Sequence, residues 1–209
     1  MGPESARAGG RTVPVIGLTG GIASGKTTVS RWIREQGIPV VDADEIVHRL
    51  ERPGAPGWWA LRRLIGWPAL ASDGQLDRVR MARWIFGSAR CRQAVNDAVH
   101  PLVRRVLWEE VDRLAAEGAR IVVVDVPLLI ENGLWRQVDQ IWVVWATPEQ
   151  QVERLMARNH LSRAAAEARI ASQMPLADKT PFAHVVLDNT DGLDALRRQV
   201  AEALGRLDA

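Results

Sequence analysis

Hydrophobic residues along this chain fall into short unbroken runs and longer amphipathic segments, and each kind predicts a different element. The unbroken runs are rich in valine and isoleucine, which is typical of strands that are buried on both faces of a parallel sheet. They are Val13–Leu18, Ile38–Val41, Ile121–Val124, Ile141–Trp145 and Val185–Leu187. The sequence therefore predicts a five-stranded sheet at the centre of the fold.

The amphipathic segments between these runs predict helices. They cover residues 26–36, 42–52, 58–65, 76–86, 90 onward and 163–173, with further helices opening after Thr147 and Gly192. Pro101 cannot donate to a helix ladder, so a new helix is expected to start at or near this residue. Strand and helix alternation of this kind predicts a three-layer α/β fold, with a parallel sheet and helices on both of its faces.

Composition narrows the class of protein. The chain has 209 residues, of which 47% are hydrophobic and 25% are charged, as in a globular protein that buries a core. A net charge of +2 suits anionic small molecules and predicts no nucleic-acid partner. Cys91 is the only cysteine, and no apolar run approaches the ~20 residues that span a bilayer. We expect a cytoplasmic protein with no membrane partner, and residues 1–12 are interpreted as a disordered leader.

A phosphate-binding loop follows the first predicted strand. The pattern G-x-x-x-x-G-K-[ST] is matched by Gly20, Gly25, Lys26 and Thr27, between a strand and a helix as this motif requires. Such a loop wraps its backbone N–H groups around phosphate oxygens, while the lysine bridges the β- and γ-phosphates and the hydroxyl holds Mg²⁺. The residues expected to bind ATP are Gly21, Ile22, Ala23, Ser24, Gly25, Lys26, Thr27 and Thr28.

The choice of basic residue supports this interpretation. Of the 27 lysines and arginines, only Lys26 and Lys179 are lysine. A chain that uses arginine almost everywhere has lysine where a compact point charge is needed and a guanidinium fork would not fit.

Three carboxylates follow predicted strands. Asp42 is interpreted as the N-cap of the next helix, with Glu45 completing a capping box. Asp44 is not needed by the cap, so it is a candidate base that accepts a hydroxyl proton and orients the oxygen for attack on a γ-phosphate. Alternatively, Asp44 lies on a solvated face and only compensates the dipole of the helix. Asp125 ends the valine-rich strand, where a P-loop protein places the carboxylate that holds the Mg²⁺ shell. An ordinary turn residue at the end of a strand is equally consistent with this position.

Arginines cluster on two successive helices, at Arg154, Arg158, Arg163 and Arg169. Helical arginines usually form a solvated face. Over a phosphate site, however, such helices would act as a lid that excludes water and neutralises transition-state charge. Arg154 and Arg158 are the stronger candidates for this role.

Several segments together resemble the dephospho-CoA kinase family, over residues 13–204. They match in order and spacing, and they are Val15–Thr28, Val40–Asp44, Pro53–Gly54, His100–Leu102, Val126–Glu131, Arg169–Met174 and Asp188–Asn189. The phosphate loop alone is shared by many kinases, whereas the later segments are far more specific. Ala23 stands where the family often has glycine, so a Cβ would crowd a strained backbone there.

The resemblance implies transfer of the ATP γ-phosphate to the ribose 3′-hydroxyl of 3′-dephospho-CoA. It also implies that Asp44 is the catalytic base, that Arg154 and Arg158 belong to the lid, and that Asn189 lies beside the adenine of ATP. Mg²⁺ would be the cofactor. The protein is expected to be a monomer or a weak homo-oligomer.

The expected organisation is a leader, residues 1–12, and a single P-loop NTPase-type kinase domain, residues 13–209. Its core would comprise about residues 13–52, 118–150 and 183–209, with a helical acceptor-binding region at about 53–117 and a lid region at about 151–182. Two alternatives stay open on the residues alone. One is another small-molecule or nucleoside P-loop kinase, and the other is a nucleotide-binding regulatory switch.

Overall fold

The central feature of the computed structural model is one parallel sheet. The structure describes residues 13–66, 70–71, 73–77, 79–81 and 88–207. Within these residues the five strands lie in the order β2-β3-β1-β4-β5. Their bounds are β1 Val15–Gly20, β2 Val40–Asp42, β3 Val122–Asp125, β4 Gln140–Trp145 and β5 Val185–Asp188. The predicted five-stranded α/β fold is therefore confirmed.

Helices connect the strands, as the alternation predicts. They are α1 Lys26–Glu35, α2 Ala43–Leu50, α3 Pro56–Ile65, α4 Ala89–Ala116, α5 Pro148–Asn159, α6 Arg163–Ile170, α7 Leu176–Lys179 and α8 Leu193–Gly205. Short 3₁₀ turns cover Leu134–Gln137 and Thr180–Phe182. The helix predicted over residues 76–86 lies largely outside the described residues. In the described part of the chain, no helix has the length and apolar character that crossing a membrane requires.

Strand register aligns the ends of the central strands. Strand β1 pairs with β3 on one side, where Leu18 lies opposite Asp125, and with β4 on the other, where Gly20 lies opposite Val144. Because parallel strands share a direction, the loops that follow β1, β3 and β4 leave the same edge of the sheet. That edge carries the phosphate loop.

The chain divides into two compact units. The first contains the residues up to Val41 and from Arg113 onward, and the second is Asp42–Asp112. The first unit holds the sheet. Strands β1 and β3 are buried along their whole length, β4 is buried from Ile141 to Val144, and helices α1 and α8 share one apolar core with them. Its core residues include Ile16, Leu18, Val29, Ile33, Val123, Trp142, Val144, Leu196 and Val200. These side chains fix the position of α1, the helix that begins where the phosphate loop ends.

The second unit has its own apolar cluster, in which α4 passes through Pro101 without ending. The prediction that a new helix begins at Pro101 is wrong, because α4 runs from Ala89 to Ala116 with the proline inside it. Val95, Val99 and Val103 lie one turn apart on either side of the proline and pack with Leu61. This shared packing keeps both halves helical even though the proline donates no ladder hydrogen bond.

Candidate phosphate-binding site

The phosphate loop joins β1, which ends at Gly20, to α1, which begins at Lys26. Two of its residues have left-handed backbone conformations: Ala23 has a φ of 60° and Gly25 has a φ of 107°. Glycine adopts this conformation without a steric cost, whereas alanine does so at a cost of about 1 kcal/mol or more. The strain expected at position 23 is therefore present in the structure.

The glycines of the loop leave room for side-chain amides that approach from outside it. A Cβ at Gly21 would overlap the amide of Gln151, and a Cβ at Gly25 would overlap the amide of Asn189. The glycines thus admit these two amides against the loop's backbone, in addition to the phosphate-binding role that the sequence predicts for them.

Three side-chain amides hold the backbone of the loop. Gln151 donates to the carbonyl of Ile22 at 2.7 Å, and Gln173 accepts from the N–H of Ile22 at 3.2 Å. Asn189 donates to the carbonyl of Ser24 at 2.8 Å. Sequence reasoning singled out Asn189 and missed both glutamines. The sequence did contain a signal for Gln173, because this residue lies in one of the segments that carry the family resemblance.

Lys26 and Asp125 form a buried ion pair. The ammonium of Lys26 donates to Oδ1 of Asp125, and the two side chains are 13% and 1% exposed. The pair connects the first residue of α1 to the last residue of β3. The structure therefore brings together two of the residues that the sequence proposes for phosphate and metal binding.

The oxygen atoms near this pair fit the ligand preferences of Mg²⁺. Thr27 is exposed, Thr28 is half-buried, and Asp125 supplies a carboxylate beside the same loop. Among the described residues, no cluster of three or more histidine, cysteine, aspartate or glutamate side chains could hold a metal. One hydroxyl and one carboxylate suit Mg²⁺, which usually binds one or two carboxylates and completes its shell with water and substrate phosphates.

The two candidate lid arginines have different surroundings. Arg154 is half-buried, and its Nη2 donates to the carbonyl of Asn189 at 2.8 Å. Its Nη1 and the Oδ1 of Asn189 are buried without a hydrogen-bond partner in the described part of the chain. Arg158 lies on the exposed face of α5 and donates to Asn159. The structure thus brings Arg154, but not Arg158, into contact with a loop that holds the phosphate loop.

Arg163 connects α5 and α6, the two helices of the region that the sequence predicts to be a lid. It donates to Glu149 at the start of α5 and to Glu167 within α6. The hydrogen bond from Arg163 lowers the pKa of the Glu149 carboxyl, and the same bond raises the pKa of the Arg163 guanidinium. Both groups stay charged at neutral pH, so the ion pair persists there.

Asp42 and Asp44 lie at the start of α2, in the second unit. Asp42 is the N-cap, and its Oδ1 accepts from the N–H groups of Asp44 at 2.8 Å and of Glu45 at 3.3 Å. The prediction that Asp42 is the N-cap is confirmed, and the completion of a capping box by Glu45 stays a prediction. The side chain of Asp44 is exposed and takes no part in the cap.

Lys179 is a buried lysine that sequence reasoning did not propose for the site. Its side chain is 0% exposed and lies 2.9 Å from Oε1 of Glu131. It also donates to the carbonyl of Pro127 at 2.9 Å, and the hydroxyl of Thr19 donates to the same carbonyl at 3.0 Å. The sequence contained one signal for Lys179, because it is one of only two lysines in the chain. Both lysines pair with carboxylates at or after the end of β3.

Comparisons with known proteins find one family along most of the chain. The model of the dephospho-CoA kinase family matches residues 14–195. A dephospho-CoA kinase of Symbiobacterium thermophilum is 48% identical over 90% of this chain and 79% of its own length. One from Carboxydothermus hydrogenoformans is 41% identical over 92% of this chain and 93% of its own length.

A solved structure has the same fold along nearly all of the chain. The crystal structure of a Thermus thermophilus protein superposes with a TM-score of 0.80 at 38% identity, covering 93% of this chain and 98% of that one. Taken with the matched family model and the phosphate loop in its expected setting, these similarities show that the chain belongs to the dephospho-CoA kinase family.

Proposed function

We propose that this kinase transfers the γ-phosphate of ATP to the ribose 3′-hydroxyl of 3′-dephospho-CoA, giving CoA and ADP, the last step of coenzyme A synthesis. Family membership supplies the reaction class and the acceptor. For this chain's own residues, the proposal rests on one observation, the Lys26–Asp125 ion pair. It lies beside the phosphate loop, where α1 begins.

Lys26 and the loop amides are proposed to hold the triphosphate. The ion pair with Asp125 holds the Lys26 ammonium at the N-terminus of α1 and balances its positive charge before phosphate binds. When ATP binds, the phosphate oxygens compete with the carboxylate for the same donor. The positive end of α1 and the N–H groups of the loop add to this attraction.

Asn189 and Arg154 are proposed to serve the nucleotide beyond its phosphates. Both carry a buried polar atom that has no partner among the described residues, the Oδ1 of Asn189 and the Nη1 of Arg154. Because buried polar atoms are nearly always hydrogen-bonded, these two are suited to a ligand. The acceptor of Asn189 suits an amino group such as that of adenine, and the donor of Arg154 suits an anionic oxygen.

Mg²⁺ is proposed as the cofactor, held by the hydroxyl of Thr27 and the carboxylate of Asp125. When bound, it would neutralise charge on the β- and γ-phosphate oxygens. The ion pair with Lys26 and the metal site would use the same carboxylate of Asp125 in turn.

Asp44 is proposed as the base. As the 3′-oxygen bonds to the γ-phosphorus, the bond from that phosphorus to the β–γ bridging oxygen breaks, and the hydroxyl proton passes to the Asp44 carboxylate. Its exposure in the first turn of α2 leaves the carboxylate accessible to the acceptor. Arg158, exposed on α5, is proposed to reach the transferring group only when acceptor and nucleotide are both bound.

The location, oligomeric state and partners of the kinase are also proposals. We propose that the kinase acts in the cytoplasm as a monomer or weak homo-oligomer, with ATP and dephospho-CoA as its partners and no nucleic acid or membrane partner. The net charge of +2 is consistent with small anionic substrates.

An acceptor screen tests the proposed function. Wild type and Lys26→Met are incubated with γ-labelled ATP, Mg²⁺ and a panel containing dephospho-CoA, adenosine and simple alcohols. Label should appear in CoA with the wild type alone. Labelling of another alcohol with no labelling of dephospho-CoA would refute the proposal, and slow ATP hydrolysis with no acceptor labelled would favour a regulatory switch.

A further inference from the structure

Both hydrogen-bonding groups of one loop residue are held by the lid region. The N–H of Ile22 donates to Oε1 of Gln173, and the carbonyl of Ile22 accepts from Nε2 of Gln151. Gln151 is 3% exposed and lies on α5, whereas Gln173 follows α6. Two glutamines from different segments therefore fix the orientation of the same residue's backbone.

The side chains of the loop are fixed by the same region. Ile22 and Ala23 pack against an apolar cluster formed by Val152 and Leu155 of α5 and Ala166 of α6. Lid region and phosphate loop thus share one small core as well as two hydrogen bonds. A change in the position of α5 or α6 must be transmitted to residues 22 and 23.

The backbone of Ala23 shows why such restraint is needed. A left-handed alanine persists only where the surrounding structure over-determines it. With a φ of 60°, Ala23 immediately follows the residue whose N–H and carbonyl are both held. If the two glutamines released Ile22, the adjoining alanine would relax toward a more favourable conformation, and the N–H groups would no longer converge on phosphate.

We propose that Gln151 and Gln173 are positioning residues that hold the phosphate loop in its phosphate-binding conformation and couple it to the lid helices α5 and α6. Neither side chain needs to touch the nucleotide. Their effect is on preorganisation: a loop already in its bound conformation loses less conformational entropy when the nucleotide binds.

Nucleotide affinity provides the first test, with Gln151→Met and Gln173→Met as the variants and Gln36→Met, exposed at the C-terminal end of α1, as the matched control. A hydrogen bond of ordinary strength corresponds to about a threefold to tenfold change in affinity. We expect the ADP dissociation constant and the KM for ATP to rise by that factor in both variants. The KM for dephospho-CoA and the control should be unchanged.

The two steady-state constants distinguish positioning from a merely structural role. A destabilised but otherwise native enzyme would lose kcat in proportion to the unfolded fraction, with both KM values unchanged. That pattern, or an unchanged ADP dissociation constant, would overturn the proposal. Gln151→Asn and Gln173→Asn, which are too short to keep these bonds, provide polar variants if the methionine variants fold poorly.

Amide exchange in the nucleotide-free protein tests the geometry independently of catalysis. The N–H of Ile22 should be protected in the wild type, lose protection in Gln173→Met, and keep it in Gln173→Glu because a carboxylate still accepts. Gln151→Glu should be as damaging as Gln151→Met, since a carboxylate cannot donate to a carbonyl. Equal protection in wild type and Gln173→Met would contradict the proposal. Amide exchange and the ADP dissociation constant need no acceptor, so failure in these two measurements is distinguishable from failure of the proposed kinase reaction.

Discussion

The ammonium of Lys26 donates to the buried carboxylate of Asp125, so the first residue of α1 is tied to the last residue of β3. Strand β1, which leads into the phosphate loop, lies directly beside β3 in the sheet. This pairing places a positive charge at the loop together with the carboxylate that we propose for Mg²⁺. The predictions below follow from this arrangement and from its neighbours.

Replacing Lys26 with arginine should nearly abolish turnover. The guanidinium keeps the charge but is planar and bulky, whereas the loop and Asp125 hold a compact ammonium. We expect kcat to fall about 10²-fold or more, the usual consequence of losing one donor at a transition state. The measurement is steady-state kinetics at saturating substrates, with Arg31→Lys on the exposed face of α1 as the control. Turnover within threefold of the wild type would exclude a specific need for lysine.

Asp44→Asn should lower kcat without weakening nucleotide binding. The substitution keeps the shape of the side chain and leaves the Asp42 cap intact, because the cap uses only the backbone N–H of residue 44. Loss of a general base typically costs about 10²–10⁴-fold in rate. The ADP dissociation constant should be unchanged by calorimetry. Near wild-type turnover at saturating substrates would show that Asp44 is not the base.

Asn189→Ala should weaken nucleotide binding and loosen the loop. It removes the hydrogen bond from the side chain to the Ser24 carbonyl, which corresponds to about a twofold to tenfold change in affinity. The measurement is the ADP dissociation constant, with Asn96→Ala on α4 as the control. An unchanged constant would remove Asn189 from the nucleotide site.

Lys179→Met should destabilise the fold. The lysine is fully buried between Glu131 and the Pro127 carbonyl. Its removal leaves the Glu131 carboxylate without its cation and the Pro127 carbonyl with the Thr19 hydroxyl as its remaining side-chain donor. Glu131 is 20% exposed, so we expect a loss of about 2–4 kcal/mol in the free energy of unfolding, at or below the usual range for a broken buried pair. The double variant Lys179→Met/Glu131→Gln should recover part of this loss. Denaturant titration compares both with Arg31→Met, whose exposed pair with Glu35 should contribute little. A Lys179→Met stability equal to that of Arg31→Met would contradict the expectation.

Ala23→Gly should stabilise the protein slightly. Glycine relieves the left-handed conformation, which favours the folded state by about 1 kcal/mol, while loss of the half-buried methyl group offsets part of the gain. Thermal unfolding should therefore shift upward by a few degrees at most. A clear decrease would mean that packing of the methyl group against the lid cluster outweighs the backbone strain.

Local patterns were sufficient to predict the strands and the loop. The valine-rich runs and the spacing from Gly20 to Thr27 depend on neighbours in sequence, so the strands, their α/β class and the start of α1 at Lys26 could be predicted. Pro101 was misjudged because its effect depends on Val95, Val99, Val103 and Leu61, whose packing keeps α4 continuous. Sequence spacing cannot show that packing.

The contacts around the loop were beyond the sequence for a similar reason. Gln151 and Gln173 lie 129 and 151 residues from Ile22 in sequence, and their value depends on which backbone groups the fold presents to them. A glutamine on a helix, or in the turn after one, has no local signature of such a role. Asn189 was proposed only because a family resemblance pointed to it, and Lys179 was the one missed residue with a compositional signal.

Product analysis of the complete reaction tests the central claim most directly. The purified kinase is incubated with ATP, Mg²⁺ and dephospho-CoA, and the product is examined by phosphorus NMR, with Lys26→Met as the inactive control. The account predicts a new phosphomonoester at the ribose 3′-position, formed in a one-to-one ratio with ADP and absent in the variant. ADP formation with no 3′-phosphomonoester, or equal product with the variant, would contradict it.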